Sequence, residues 1–168
     1  LVRMRVEGER IRSVFYGRKE GLPTNYIREL FEDNRGAIWC GSFADGVVRV
    51  MPKDSMRIEV TRFDSAAGMK DPAVWAILQD RAGGLLVGTA RSGIVRLKHG
   101  NTAAQTYMQG LPNNAVQCLT RDSTGRIWAG TSVGMSHEDV PGSGRFVAKD
   151  IFLGSGVFCC GTPREGLV

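Results

Sequence analysis

Apolar residues along this chain fall in short runs separated by glycine-bearing turns. The longest run, Ala73–Leu78, is six residues. In residues 27–63 the pattern resolves into a strand at Ile27–Glu32, a turn at Asp33–Gly36 and a strand at Ala37–Ser42. A turn at Phe43–Gly46, a strand at Val47–Met51 and an outer strand around Glu59–Phe63 follow. Short apolar segments bounded by turn residues are the mark of strands. A membrane-spanning helix needs about 20 consecutive apolar residues, and no run here approaches that.

The same pattern returns along the chain. Gly21-Leu22-Pro23-Thr24-Asn25 aligns with Gly110-Leu111-Pro112-Asn113-Asn114, and Gly68-Met69-Lys70-Asp71-Pro72 falls between them. Downstream, Ile27, Val74 and Val116 correspond, as do Leu30, Ile77 and Leu119. Asp33, Asp80 and Asp122 are identical, as are Gly36, Gly83 and Gly125. Trp39, Leu86 and Trp128 share a position just before Gly41, Gly88 and Gly130. The spacing between these glycines is 47 and then 42 residues, and a further Gly161-Thr162 follows after 31. Leu1-Val2-Arg3-Met4 resembles Val47-Val48-Arg49-Val50, and Gly166-Leu167-Val168 resembles Gly46-Val47-Val48, so the chain spans about four periods. Repeat cores are expected at 21–50, 68–97 and 110–136, with a degenerate fourth unit at about 146–168. A period of 40 to 50 residues suits a four-stranded propeller blade or a helix pair, and the glycines and short runs exclude helices. The expected fold is all-β, built from blades of four antiparallel strands, A to D.

Within a blade, Asp33, Asp80 and Asp122 open turns in which the side chain accepts a backbone N–H two residues on. Gly36, Gly83 and Gly125 supply the positive φ that such turns need. Trp39 and Trp128 are expected to pack between blades. Strands alternate in direction, so the D-to-A and B-to-C loops share one face, and the A-to-B and C-to-D loops share the other. The Asp-x-x-Gly turns repeat almost unchanged, whereas the D-to-A and B-to-C loops differ. A scaffold repeats itself, and a site for an asymmetric ligand must break the repeat. The candidate ligand residues are therefore Tyr26, Arg28, Phe43 and Asp45 from the first unit, Trp75 and Arg91 from the second, and Asn114 and Gln117 from the third. Aromatic faces stack on rings, and Arg, Asn and Gln give directed hydrogen bonds.

The segments 21–42 and 110–131, with 68–89 as a looser copy lacking the Pro and the Trp, resemble the two-component regulator propeller repeat. Gly46-Val47-Val48-Arg49 and Gly93-Ile94-Val95-Arg96 are similar to that family's following Gly-Leu-x-Arg, whereas Ser136 and His137 depart from it. The resemblance implies part of a larger, seven-bladed propeller outside the cytoplasmic membrane, in the periplasm. It also implies a non-catalytic sensor region joined to a histidine kinase or a diguanylate cyclase, with glycan fragments or another small molecule as ligand. No cofactor is implied. The remaining blades, or another copy of the chain, are the partners expected at its ends.

Composition changes this picture little. The chain holds 22 glycines among 168 residues, about twice the ordinary share. The formal net charge is +5. Arg and Lys are scattered among acids, with mild clustering at Arg3, Arg5, Arg10, Arg12, Arg18 and Lys19, so a solvated face is expected and nucleic acid is not. The chain begins at Leu1 without a signal-peptide pattern and reads as a piece of a longer protein. Cys40, Cys118, Cys159 and Cys160 form no Cys-x-x-Cys pair, so neither a zinc site nor a disulfide framework is expected. Adjacent Cys159 and Cys160 sit uneasily with an oxidising compartment. His137-Glu138-Asp139 superficially looks metal-binding and is read as solvated polar residues. Beside a ligand-binding sensor, two alternatives remain open: a protein-interaction scaffold, and a propeller lyase, which would need a positioned base.

Overall fold

In the computed structural model residues 1–22, 26–54, 56–97 and 104–149 are described. They form three four-stranded antiparallel sheets preceded by a two-stranded hairpin. The first blade is β3 (Ile27–Glu32), β4 (Ile38–Ser42), β5 (Val47–Pro52) and β6 (Ile58–Phe63). The second is β7 (Val74–Gln79), β8 (Leu85–Thr89), β9 (Ile94–Leu97) and β10 (Ala104–Tyr107). The third is β11 (Val116–Arg121), β12 (Ile127–Thr131), β13 (Gly134–Glu138) and β14 (Phe146–Lys149). Helix among the described residues is confined to 3-10 turns at Arg18–Glu20 and Ser65–Ala67. The all-β blade architecture expected from the repeat is present.

Within each blade the strands pair in chain order, A to D. The hairpin is β1 (Val2–Glu7) and β2 (Arg10–Phe15), and Val2 faces Phe15 as Val47 faces Phe63. It is therefore the C and D half of a blade. Phe146–Lys149, placed by the repeat spacing at the opening of a fourth unit, pairs instead with β13 as the outer strand of the third blade. A seven-residue turn, 139–145, displaces this strand downstream. The rest of the fourth unit, including Gly161-Thr162, lies outside the described residues.

Cores lie at the blade junctions. Trp39 and Val47 of the first blade bury against Val74, Ile77, Leu85 and Val87 of the second. Leu86 and Ile94 of the second bury against Val116, Ile127 and Ala129 of the third. Tyr16 and Leu22, which follow the hairpin, pack on Cys40, Val48 and Val50. Trp39 thus packs between blades as expected, whereas Trp128 is half-buried.

The glycines of the second strands set how closely blades approach. A Cβ on Gly41 would lie 2.5 Å from Val74 Cγ1, and one on Gly88 would lie 2.9 Å from Val116 Cγ1 and 3.0 Å from the Val116 carbonyl oxygen. Each glycine therefore leaves room for the first valine of the next blade. The N-terminal end shows the reverse case. Ile77 is 4% exposed against the first blade, but Leu30, at the same repeat position, is 54% exposed. Among the described residues, only a C–D hairpin precedes Leu30. Val2, Met4, Val6, Ile11 and Phe15 of that hairpin are exposed apolar residues, and the cross-strand register puts them on one face. Among the described residues nothing packs over this face of the hairpin. The arginines Arg3, Arg5, Arg10 and Arg12 occupy the other face, solvated as expected.

Gly88→Ala is expected to destabilise the chain by about 1–3 kcal/mol, because the added methyl overpacks a junction that cannot yield without moving backbone. Gly17→Ala, where φ is −141° and the nearest atom is a Glu20 side-chain oxygen at 3.8 Å, should shift stability by less than about 0.5 kcal/mol. Urea unfolding of both variants checks this.

Candidate functional site

The two faces of the array differ in how strictly they repeat. On one face, the Asp33 carboxylate accepts from the Arg35 and Ala37 amides at 2.9 Å each and from the Trp39 indole Nε1 at 2.8 Å. Asp122 does the same with the Thr124 and Arg126 amides and the Trp128 indole, and the Thr124 hydroxyl adds a fourth donor. In the second blade Leu86 replaces the Trp, and the Arg96 guanidinium fills the gap by donating to Asp80 Oδ2 at 2.7 Å. One constraint, a donor for the outer carboxylate oxygen, is met by two chemistries. The sequence spacing exposed the turn but not the indole bond, although an Asp six residues before a Trp was its visible trace. Burial raises the Asp33 pKa, but the Trp39, Ala37 and Arg35 bonds outweigh it and hold it below the usual value. The Thr124 and Trp128 side-chain bonds hold Asp122 down to about 2.

The other face is built by the D-to-A and B-to-C loops. Their sharing of a face, inferred from strand alternation, is visible in repeated backbone bonds. Ala90 N–H donates to the Ala73 carbonyl at 3.0 Å and Ser132 N–H to that of Ala115 at 3.1 Å. Gly46 N–H donates to the Pro72 carbonyl and Gly93 N–H to that of Asn114, each at 2.9 Å. Asp71, buried in the D-to-A connection from the first blade to the second, accepts from the Ala73 and Arg91 amides.

At the start of every inner strand the register slips by one residue. The slips lie between Ile27 and Glu29, Val74 and Ala76, and Val116 and Cys118. The extra residues are Arg28, Trp75 and Gln117, three of the symmetry-breaking positions. A bulge leaves one residue unpaired and re-aims its side chain. Arg28 Cζ lies 5.2 Å from the centroid of the Trp75 ring, a cation–π contact joining the first two blades. Trp75 Nε1 and Gln117 Oε1 are buried without a hydrogen-bond partner, a situation that few native polar groups tolerate. Arg28 also lines, with Tyr26, Ile27, Phe43 and Ala44, an apolar depression of about 420 Å³, with Tyr26 79% exposed. Glu29, next along β3, is half-buried, and burial raises its pKa against the opposing pull of Arg28.

Three further candidates stand on the same loops without lining that depression. Asp45 is half-buried in its loop, its amide bonded to Ser42 Oγ at 2.7 Å. Asn114 contributes its carbonyl to the Gly93 bond. Arg91 is exposed, lies 3.6 Å from Asp71, and lines a separate cleft. Two further readings are corrected. Glu138 is buried, not solvated, and accepts from the Ile127, Gly142 and Gly144 amides. It replaces an aliphatic residue at the position of Val50 and Leu97, and three N–H donors compensate its burial. Cys118 is disulfide-bonded, although no disulfide framework was expected. Spacing along a chain does not report which thiols the fold brings together. Cys40 is free, and burial pushes its thiol up to about 11. The His137 ring packs against that of Trp128 at 4.8 Å between centroids, tilted by 49°, and no metal-binding cluster occurs among the described residues.

The two component regulator propeller family matches residues 21–44 and 110–133. Those two segments match the two-component regulator propeller repeat over less than a third of the chain. The extracellular domain of a hybrid two component system from B. thetaiotaomicron is a structural neighbour at TM-score 0.67 and 22% identity, over 89% of this chain and 23% of that one. A catalytically inactive virginiamycin B lyase from Staphylococcus aureus, solved with quinupristin, aligns at TM-score 0.62 and 16% identity, over 84% of this chain and 45% of the lyase. The propeller chain thus spans less than half the length of either neighbour, and at these identities the likeness is one of fold. No curated protein matches the chain.

The Asp122 bonds have a pH consequence. A carboxylate held near 2 in the fold and near 4 when unfolded contributes stability that is present above about pH 4 and is lost as pH falls toward 2. Asp122→Asn should lower the melting temperature at pH 7 and flatten its fall between pH 5 and 2. Melts across that range check both.

Proposed function

We propose that the chain is the ligand-binding part of a bacterial signal-transduction sensor, and that its ligand meets the loop face at the mouth formed by Arg28, Trp75 and Gln117. The observation that carries the reading is the bulge at the same point of three consecutive inner strands, each presenting a different side chain. The Arg28–Trp75 contact and the two unpartnered polar atoms supply an aromatic face, a cation, a donor and an acceptor within one region. Tyr26 and Phe43 extend it with exposed aromatic surface. Such a set suits a sugar ring, whose apolar face stacks and whose hydroxyls pair. The propeller repeat supports a role in two-component signalling, with catalysis in a domain outside this chain. Its use in extracellular domains, together with the Cys118 disulfide, supports a location outside the cytoplasm. The exposed apolar face of the hairpin fits further propeller blades or a second copy of the chain.

Trp75→Ala should weaken binding of a glycan ligand by about 1–3 kcal/mol, the scale of one aromatic stacking contact, and leave Asp122→Ala with unchanged affinity. Calorimetric titration of a glycan panel against both variants, with melts as a folding control, checks this. Loss of affinity in Asp122→Ala alone would place the site on the opposite face.

A further inference from the structure

A second cavity lies away from the mouth, between the outer strand of the second blade and the C-to-D turn of the third. It measures about 660 Å³, within the range of small-molecule sites. Three cations from three different loops line it: Lys70, Arg91 and Arg145. Ser92, Ser143 and Tyr107 add hydroxyls, and no carboxylate residue is among the lining residues. The nearby acids are engaged from behind. Asp71 sits 3.6 Å from Arg91 and already accepts from the Ala73 and Arg91 amides. Asp139 sits 3.3 Å from Arg145 and accepts from the Val140 amide and the Ser143 hydroxyl. Both arginine side chains remain 80% exposed, and each guanidinium has five N–H groups, so donors remain for a second anion.

The wall of this cleft exists because the third blade breaks the repeat. Where the other blades have Val50 and Leu97, it has buried Glu138. Its carboxylate gathers the Gly142 and Gly144 amides at 3.0 Å each. That draws the turn against the second blade so closely that a Cβ on Gly144 would lie 2.9 Å from the Tyr107 ring. A buried carboxylate in place of an aliphatic residue is costly unless its bonds are needed, and here they set the position of the turn that carries Ser143 and Arg145.

We propose that this cleft binds a small polyanion carrying two or more sulfate, phosphate or carboxylate groups, held by Lys70, Arg91 and Arg145, with Glu138 as the positioning residue for the third-blade wall. The cleft is distinct from the mouth and stands or falls independently of it. The test titrates the full chain calorimetrically with sucrose octasulfate, inositol hexakisphosphate, sucrose and inorganic sulfate. One or both polyanions should bind in the micromolar range, more weakly as salt rises, with sucrose undetectable. Which polyanion binds tighter distinguishes a sulfated sugar from a phosphorylated source. Arg91→Ala and Arg145→Ala should each weaken binding tenfold or more, while Trp75→Ala and the hairpin pair Arg3→Ala/Arg5→Ala leave it unchanged. Glu138→Leu, which restores the repeat's aliphatic residue, should weaken binding tenfold while the melting temperature holds. The proposal is overturned by equal binding of sucrose, by absence of polyanion binding at 1 mM, or by binding lost with the hairpin arginines instead of Arg91 and Arg145. Undiminished affinity in Glu138→Leu overturns the positioning role.

Discussion

Neighbouring blades meet where a valine of one inner strand rests on a glycine of the preceding blade's second strand. The Gly41–Val74 and Gly88–Val116 contacts leave no room for a single methyl. That closeness lets the flanking aliphatic residues close into two continuous junction cores. It also fixes the distance between successive inner strands, and with it which side chains at their starts can touch. Arg28 reaches Trp75 because the first two blades are held at this separation.

From this junction the two faces diverge in purpose. The carboxylates of the Asp turns take their donors from their own blade and tolerate a changed donor, as the Arg96 bond to Asp80 shows, while the first turn also ties to the second blade through the Asn34 amide and Gln79. A feature that can be rebuilt from different residues is holding a shape. The inner-strand bulges are the converse. Their backbone geometry repeats in all three blades, while the residue placed on them changes from Arg to Trp to Gln. A conserved position with varied chemistry is what an asymmetric ligand would require, and the propeller repeat explains why the frame can be uniform while the contents are not.

The blades were legible in the sequence because period, turn glycines and apolar runs are all local signals. The bounds of β3, β5 and β6 agree with the pattern to within a residue. The loop face was legible for the same reason, since strand alternation alone assigns it. What was hidden depends on partners far apart in the chain. Trp39 was read as packing but also caps Asp33. Glu138 was read as solvated because only the fold shows three amides converging on it. The outer strand Phe146–Lys149 was misplaced because a long turn shifts it out of phase, and the spacing of the cysteines does not encode the Cys118 disulfide. Asp45 and Asn114 differ between units, as a site residue should. In the fold the Asn114 carbonyl accepts from the Gly93 amide, and Asp45 is half-buried in its loop.

The most direct test of the central claim, that repeated bulges on one face form the ligand mouth, is backbone amide exchange measured with and without a saturating glycan. Protection should appear at residues 26–29, 43–45, 74–76 and 116–118, spanning three blades at one repeat position. The Asp turns at 33–36, 80–83 and 122–125 should exchange at the same rate in both states. Protection confined to those turns, or to the residues of a single blade, would contradict the account.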